Sequence, residues 1–169
     1  FNMYTETYGK GRPLLIIHGN GGSMKDFANQ VPFFMKNYKV IVADNRAQGR
    51  SADTGDSLSY EQMADDFAEL LTAMHIDSAD VIGWSDGGIN GLLLAIRHPE
   101  KVKKLAVTGA NLWPDSTAVY NDVADLIQPG YDSIMAKTSL NPQEKTTKKL
   151  LRLLVEQPHI STSLLQSIK

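Results

Sequence analysis

The sequence contains no cysteine. Disulfides, thiol nucleophiles and Cys-ligated zinc or iron–sulfur centres are excluded with it. The absence fits a reducing compartment, and a cytoplasmic location is the expectation. Histidine is scarce: His18, His75, His98 and His159 are all there are, and no two have the helix-face spacing of a metal site. No apolar run approaches the ~20 residues that span a bilayer. Neither sign of charge dominates, since 17 Lys and Arg stand against 19 Asp and Glu. With no basic surplus, neither nucleic acid nor an anionic membrane is an expected partner. What is present is ordinary. In 169 residues, 42% are hydrophobic and 21% charged, which suits one globular domain with a core. The chain opens on Phe1 and not on Met, so a removed signal peptide stays open.

Hydrophobic patterning gives the fold class. Met3–Tyr8 alternates weakly and meets the turn cluster Gly9-Lys10-Gly11-Arg12-Pro13, which predicts a short strand and a hairpin. Leu14–Ile17 and Val40–Ala43 are short continuous apolar runs, as in strands buried on both faces. Between them Ser23 can cap a helix to about Lys36, kinked by Pro32. Ser59-Tyr60-Glu61-Gln62 reads as a capping box, and apolar residues then recur at helical spacing to Met74. Ala79–Trp84 is a strand, Asp86–Arg97 a helix and Leu105–Thr108 a strand. This alternation predicts an α/β protein, a mostly parallel sheet flanked by helices. Residues 1–111 form that core. Residues 112–169 show no convincing strand and read as a helical lid; within it Asn141-Pro142-Gln143-Glu144 starts a helix that Pro158 ends, and Ser161–Ile168 could form another.

One motif carries chemistry. Gly83-Trp84-Ser85-Asp86-Gly87 is G-x-S-x-G, with a strand before it and a helix after. A serine on so tight a strand-to-helix turn projects its hydroxyl above the sheet, and small neighbours are needed around it. The turn also places Ser85 at a helix N-terminus, where developing negative charge is favoured. The bland reading is a glycine-rich turn with an incidental serine. His18-Gly19-Asn20-Gly21-Gly22 follows an earlier strand and can aim the Asn20 N–H at the point served by the Asp86 N–H. Two such donors make an oxyanion hole, each worth ~3 kcal/mol. The alternative for this loop is a flexible connector. His18 itself reads as a side chain tying the loop down. The glycines match neither a dinucleotide fingerprint nor a P-loop, so no cofactor is implied.

At these residues the sequence resembles the α/β-hydrolase family. The resemblance rests on the His18–Gly22 loop, on Asp44-Asn45-Arg46-Ala47-Gln48-Gly49-Arg50-Ser51, and on the Ser85 elbow. Ala47 stands where the family commonly has Gly. The resemblance implies a mostly parallel sheet of which this chain holds strands two to six, followed by the lid. It also implies that Asp44 and Arg46 order a loop. A narrower resemblance, through Gly83–Ile89 and Gly109-Ala110-Asn111, is to the valacyclovir hydrolase-like branch. That resemblance implies α-amino acid esters as substrates, with the Asp86 side chain pairing their ammonium; the alternative is a solvated helix-start Asp. Trp84 and Gly19, beside Ser85 and Asn20, are further candidates for substrate contact.

A serine nucleophile needs a histidine base and an orienting acid. His98 lies at the far end of the elbow's helix, His75 at a helix end and His159 in the lid. Asp115 reads as a lid surface residue. The expectation is therefore that base and acid lie beyond Lys169, and that the 169 residues alone are inactive. The sheet edge after the last strand would then invite self-association or a complementing chain. The reading is a serine hydrolase of small acyl esters acting through a Ser85 acyl-enzyme. Lactone, amide, C–C bond or peracid chemistry, and a non-catalytic binding module on the same scaffold, are the alternatives.

Overall fold

A computed structural model describes residues 1–168. Five strands form one sheet in the order β1-β3-β2-β4-β5. They are β1 (Thr5–Tyr8), β2 (Arg12–Ile17), β3 (Tyr38–Ala43), β4 (Ala79–Trp84) and β5 (Val102–Thr108). β1 runs antiparallel to β3, and all other pairs are parallel. Helices α2 (Tyr60–Ala73) and α3 (Asp86–Arg97) follow β3 and β4, and a four-residue α1 (Val31–Phe34) precedes β3.

The apolar runs behave as strands of a covered sheet because successive side chains alternate faces. Leu15, Ile17, Ile41, Ala43 and Val81 share one face with Met63, Phe67 and Leu71 of α2 and with Ile89 and Leu93 of α3. Leu14, Ile16, Val40 and Val42 share the other face with Met24, Phe27 and Val31. A fully buried side chain such as Phe67 contributes roughly 1.5–3 kcal/mol by its removal from water.

Two local expectations are corrected. The Gly9–Pro13 turn does not make a hairpin, since β1 pairs with β3 and not with β2. The connection crosses the entry to β3 instead. A Cβ on Gly9 would stand 2.2 Å from the Met35 carbonyl oxygen, and one on Gly11 would stand 2.7 Å from that of Asn37. Apolar on both faces, β2 gains more from the sheet centre than from an edge pairing. The continuous helix from Ser23 to Lys36 is also absent. Ser23 caps only a 3-10 turn, Met24–Phe27, and Pro32 sits in the first turn of the separate α1. Proline has no N–H for the preceding turn and fits a helix start, so it divides the segment. The Ser59 box is one-sided, with Ser59 Oγ accepting from the Gln62 N–H alone.

Residues 112–168 are helical or irregular. α4 (Asn121–Met135) was not anticipated, because Pro129-Gly130 inside it reads as a turn. α5 (Pro142–Glu156) starts at Asn141 with the reciprocal Asn141–Glu144 capping bonds that the sequence suggests. A four-residue α6 (Thr162–Leu165) follows. α5 is anchored to the core: Leu153 and Ile160 are buried in it, and the Lys149 ammonium donates to Asp53 at 2.8 Å and to the Gly55 carbonyl at 2.7 Å. No helix among the described residues is long and apolar enough to cross a membrane.

The loop after β3 is built around two acidic residues. Asp44 is buried and accepts from the N–H groups of Met24 and Arg50, both at 2.8 Å. Arg46 reaches Asp66 at 2.7 Å and Asp53 at 3.0 Å. Burial works against Asp53 ionising, but Lys149 and Arg46 hold its carboxyl below the usual range. Within this loop Ala47 has φ 64°, the left-handed region that costs an L residue about 1–2 kcal/mol. Glycine lifts that cost and gives part of it back as unfolded-chain entropy. Ala47→Gly should therefore raise stability by up to ~1 kcal/mol, seen as a higher urea midpoint at unchanged slope. A lower midpoint would contradict this account of the loop.

Candidate active site

β4 ends at Trp84, α3 begins at Asp86, and Ser85 joins them at φ 55° and ψ -124°. A non-glycine residue held there is strained, and such strain collects at functional sites. The surroundings enforce it. The Ser85 N–H donates to the Thr108 carbonyl of β5 at 2.8 Å, and its carbonyl accepts the Gly88 N–H at 2.7 Å. Gly83 and Gly87 are required by space, since a Cβ on Gly87 would meet the Ile17 carbonyl oxygen at 2.1 Å and one on Gly83 the Gly87 oxygen at 2.2 Å. The serine hydroxyl has no hydrogen-bond partner among the described residues.

The loop after β2 passes directly against the elbow. A Cβ on Gly19 would stand 3.1 Å from Ser85 Cβ and 3.3 Å from the Trp84 ring. Trp84 is 48% exposed beside it. Among the described residues neither the Asn20 N–H nor the Asp86 N–H has a protein acceptor. The structure thus brings Gly19, Asn20, Trp84, Ser85 and Asp86 together, as expected from their motifs.

His18 anchors this loop. It is fully buried, its Nδ1 lies 2.7 Å from the Gly19 carbonyl, and its Nε2 accepts the Asn45 N–H at 2.8 Å. Those partners assign the neutral ring with its proton on Nδ1. Burial also lowers its pKa, so it stays uncharged. His98 pairs with Asp65 at 2.7 Å, and His159 stacks edge-on against Trp113. No histidine hydrogen-bonds Ser85 among the described residues. Asp115 is tied to Thr117, whose bonds hold its carboxyl below the ordinary range. No group of three His, Cys, Asp or Glu among the described residues could hold a metal ion.

Asp86 is not the solvated helix-start residue that was one alternative. It is 2% exposed, and its Oδ2 accepts from Asn20 Nδ2 at 2.8 Å. Burial pushes its carboxyl up to about 6, against the opposing effects of Asn20 and Tyr60. The buried Tyr60 hydroxyl at the start of α2 faces the carboxylate and has no other partner among the described residues. Burial raises the Tyr60 pKa too. The same Asn20 amide donates to the Leu150 carbonyl of α5 at 3.2 Å. Gln48 supports the loop from below, its Oε1 accepting the Gly21 N–H at 2.7 Å. Tyr60, Leu150 and Gln48 were missed from sequence. Tyr60 looked like one more core position of α2, and its only distinguishing signal was a phenolic oxygen on an apolar face.

Residues 12–159 match a family profile described as alpha/beta hydrolase fold. The chain is similar to the RutD protein of Caulobacter sp. (strain K31), named for a proposed carbamate hydrolase activity. The two are 34% identical over 118 residues, which is 67% of this chain and 44% of that protein. It is also similar to serine hydrolase BPHL of Mus musculus, 29% identical over 133 residues, or 74% of this chain and 46% of that one. Among solved structures, MGS-M2, an alpha/beta hydrolase enzyme from a Medee basin deep-sea metagenome library, superposes with a TM-score of 0.80 at 20% identity. The match covers 99% of this chain and 73% of that one, and at such identity it speaks for the fold. The chain spans under half the length of the curated relatives it matches.

Proposed function

The chain belongs to the alpha/beta hydrolase fold family, and on that premise we propose that it supplies the nucleophile and oxyanion hole of a serine hydrolase acting on small carboxylic esters. The observation that carries this reading is Ser85 at φ 55° on its strand-to-helix turn, with two backbone N–H groups left without acceptors beside it. Ser85 Oγ attacks the acyl carbon, and its proton passes to a base. Among the described residues no histidine hydrogen-bonds Ser85, and His18 and His98 are held by other partners, so on this reading the base is a group other than these. The N–H groups of Asn20 and Asp86 take the negative oxygen of the tetrahedral intermediate. Its collapse expels the alcohol and leaves an ester on Ser85, which water then hydrolyses. Trp84 and Gly19 border the place where the acyl group would lie. Asp86 has one carboxylate oxygen on Asn20 and no cationic partner among the described residues, so pairing with a substrate ammonium stays the alternative to a purely positioning role.

An acyl-enzyme is tested by trapping. The full-length protein should release nitrophenol from p-nitrophenyl butanoate, and added hydroxylamine should divert the acyl group into butanohydroxamate. Alcohol release with free acid as the sole acyl product would contradict a covalent intermediate. An absence of turnover on a panel of esters, thioesters and lactones would favour a binding module.

A further inference from the structure

We propose that the Asn20 side-chain amide and the buried Asp86 carboxylate form a positioning pair that sets the oxyanion loop and latches it to α5, so that the oxyanion hole is complete only when α5 is docked. The proposal rests on the hydrolase reading above. An asparagine amide has two protons to donate. Here one goes to Asp86 Oδ2 at 2.8 Å and the other to the Leu150 carbonyl at 3.2 Å. One NH2 group therefore joins the loop after β2, the residue after the elbow serine, and the lid helix. The Asn20 backbone N–H lies only three bonds from the Cβ that carries this anchored amide, so fixing the amide restricts where the N–H points. Both residues whose N–H groups would hold the oxyanion are thus tied together through their side chains.

The fold alone does not call for a carboxylate at this position. Burying an ion that only the Asn20 amide and the Tyr60 hydroxyl face, with no cation, is costly. A neutral carboxamide oxygen could accept the same bond without that cost. The groups facing Asp86 are Asn20 from the loop after β2 and Tyr60 from α2, and among the described residues no cation compensates it. A costly, uncompensated carboxylate beside a nucleophile marks a functional position. The lid end of the latch is held independently. Lys149, one residue before Leu150, is fixed to Asp53 and Gly55, and the Gln157 side chain bonds Tyr60 N–H and the Leu58 carbonyl, each at 3.3 Å. Movement of α5 would withdraw the Leu150 acceptor from Asn20.

The test uses the full-length protein and a neutral p-nitrophenyl ester. Asn20→Ala and Asp86→Ala should each lower kcat by about 10-fold to 100-fold, below the ~100-fold to 1,000-fold of deleting an oxyanion donor outright, with KM changed less than about 2-fold. The double variant should be no worse than the worse single one, because both act through one bond. Asp86→Asn should recover only part of what Asp86→Ala loses, since its amide oxygen accepts the same bond but without the strength that the carboxylate charge adds. Lys149→Met, remote from substrate, should lower kcat and not KM by loosening α5. A 13C titration of the Asp86 carboxyl adds a readout that needs no turnover, and Asn20→Ala should move its midpoint upward. Additive losses in the double variant, an unmoved midpoint, or an Asp86→Ala defect confined to ammonium-bearing esters would each overturn the pair while an active wild type keeps the hydrolase reading. An inert wild type would remove that reading, and the proposal with it.

Discussion

Ser85→Ala should lower kcat of the full-length protein on a simple acyl ester by about 10,000-fold or more, leaving the fold intact. The magnitude follows from the role. Without the hydroxyl no acyl-enzyme can form, and what remains is binding plus oxyanion stabilisation, which in serine hydrolases leaves ~1,000-fold to 10,000-fold over water. The fold should tolerate the change because the hydroxyl has no hydrogen-bond partner among the described residues. The backbone strain at φ 55° is the same for serine and alanine. Circular dichroism and the melting midpoint should therefore match wild type while turnover collapses. A loss under about 10-fold would mean that the hydroxyl does no covalent chemistry.

The second large effect is on stability, and it is pH-dependent. Burial raises the Asp86 carboxyl from 3.8 to about 6. A group whose folded pKa lies above its unfolded one binds protons more tightly in the folded state. Its contribution to stability is then fully present below about pH 4 and is lost as pH rises through 6. Above pH 7 the folded protein carries a destabilising buried charge worth on the order of 3 kcal/mol. Asp86→Asn keeps an acceptor for Asn20 and removes the charge. It should stabilise the protein by ~1–3 kcal/mol at pH 8 and by close to nothing at pH 4, read from urea unfolding at each pH. An equal effect at both values, or destabilisation at pH 8, would contradict the buried-charge account. A gain in stability at the expense of the site's own chemistry is the usual exchange at functional positions.

The sheet was legible where burial acts on consecutive residues. Leu14–Ile17 and Val40–Ala43 are apolar on both faces because helices or turns cover both sides, and no long-range knowledge is needed to see them. β1 lies where the alternation places it, but its pairing differs from the expected hairpin, because its partner is chosen by tertiary competition for the sheet centre, which the Gly9–Gly11 turn does not encode. The Ser23–Lys36 segment contains both a cap and a proline, and the sequence does not say which prevails. α4 was hidden by Pro129-Gly130. At the site, the residues on the elbow and the glycine loop could be named because tight turns demand particular residue types at fixed spacing. The Asn20–Asp86–Leu150 connection could not, since it joins residues 66 and 130 positions apart through side-chain and carbonyl groups with no local pattern. Asp86 itself illustrates the limit. Helix-start acids are usually solvated, and only the packed Tyr60 and Asn20 reveal that this one is buried.

The central claim is that Ser85 is an activated nucleophile, and the most direct measurement is covalent capture. The full-length protein is treated with a fluorophosphonate and digested, and the modified peptide is sequenced by mass spectrometry. The account predicts one phosphonyl group per protein, on Ser85, and none in Ser85→Ala. A folded protein that stays unmodified, or is modified at another residue while Ser85 remains free, would contradict it.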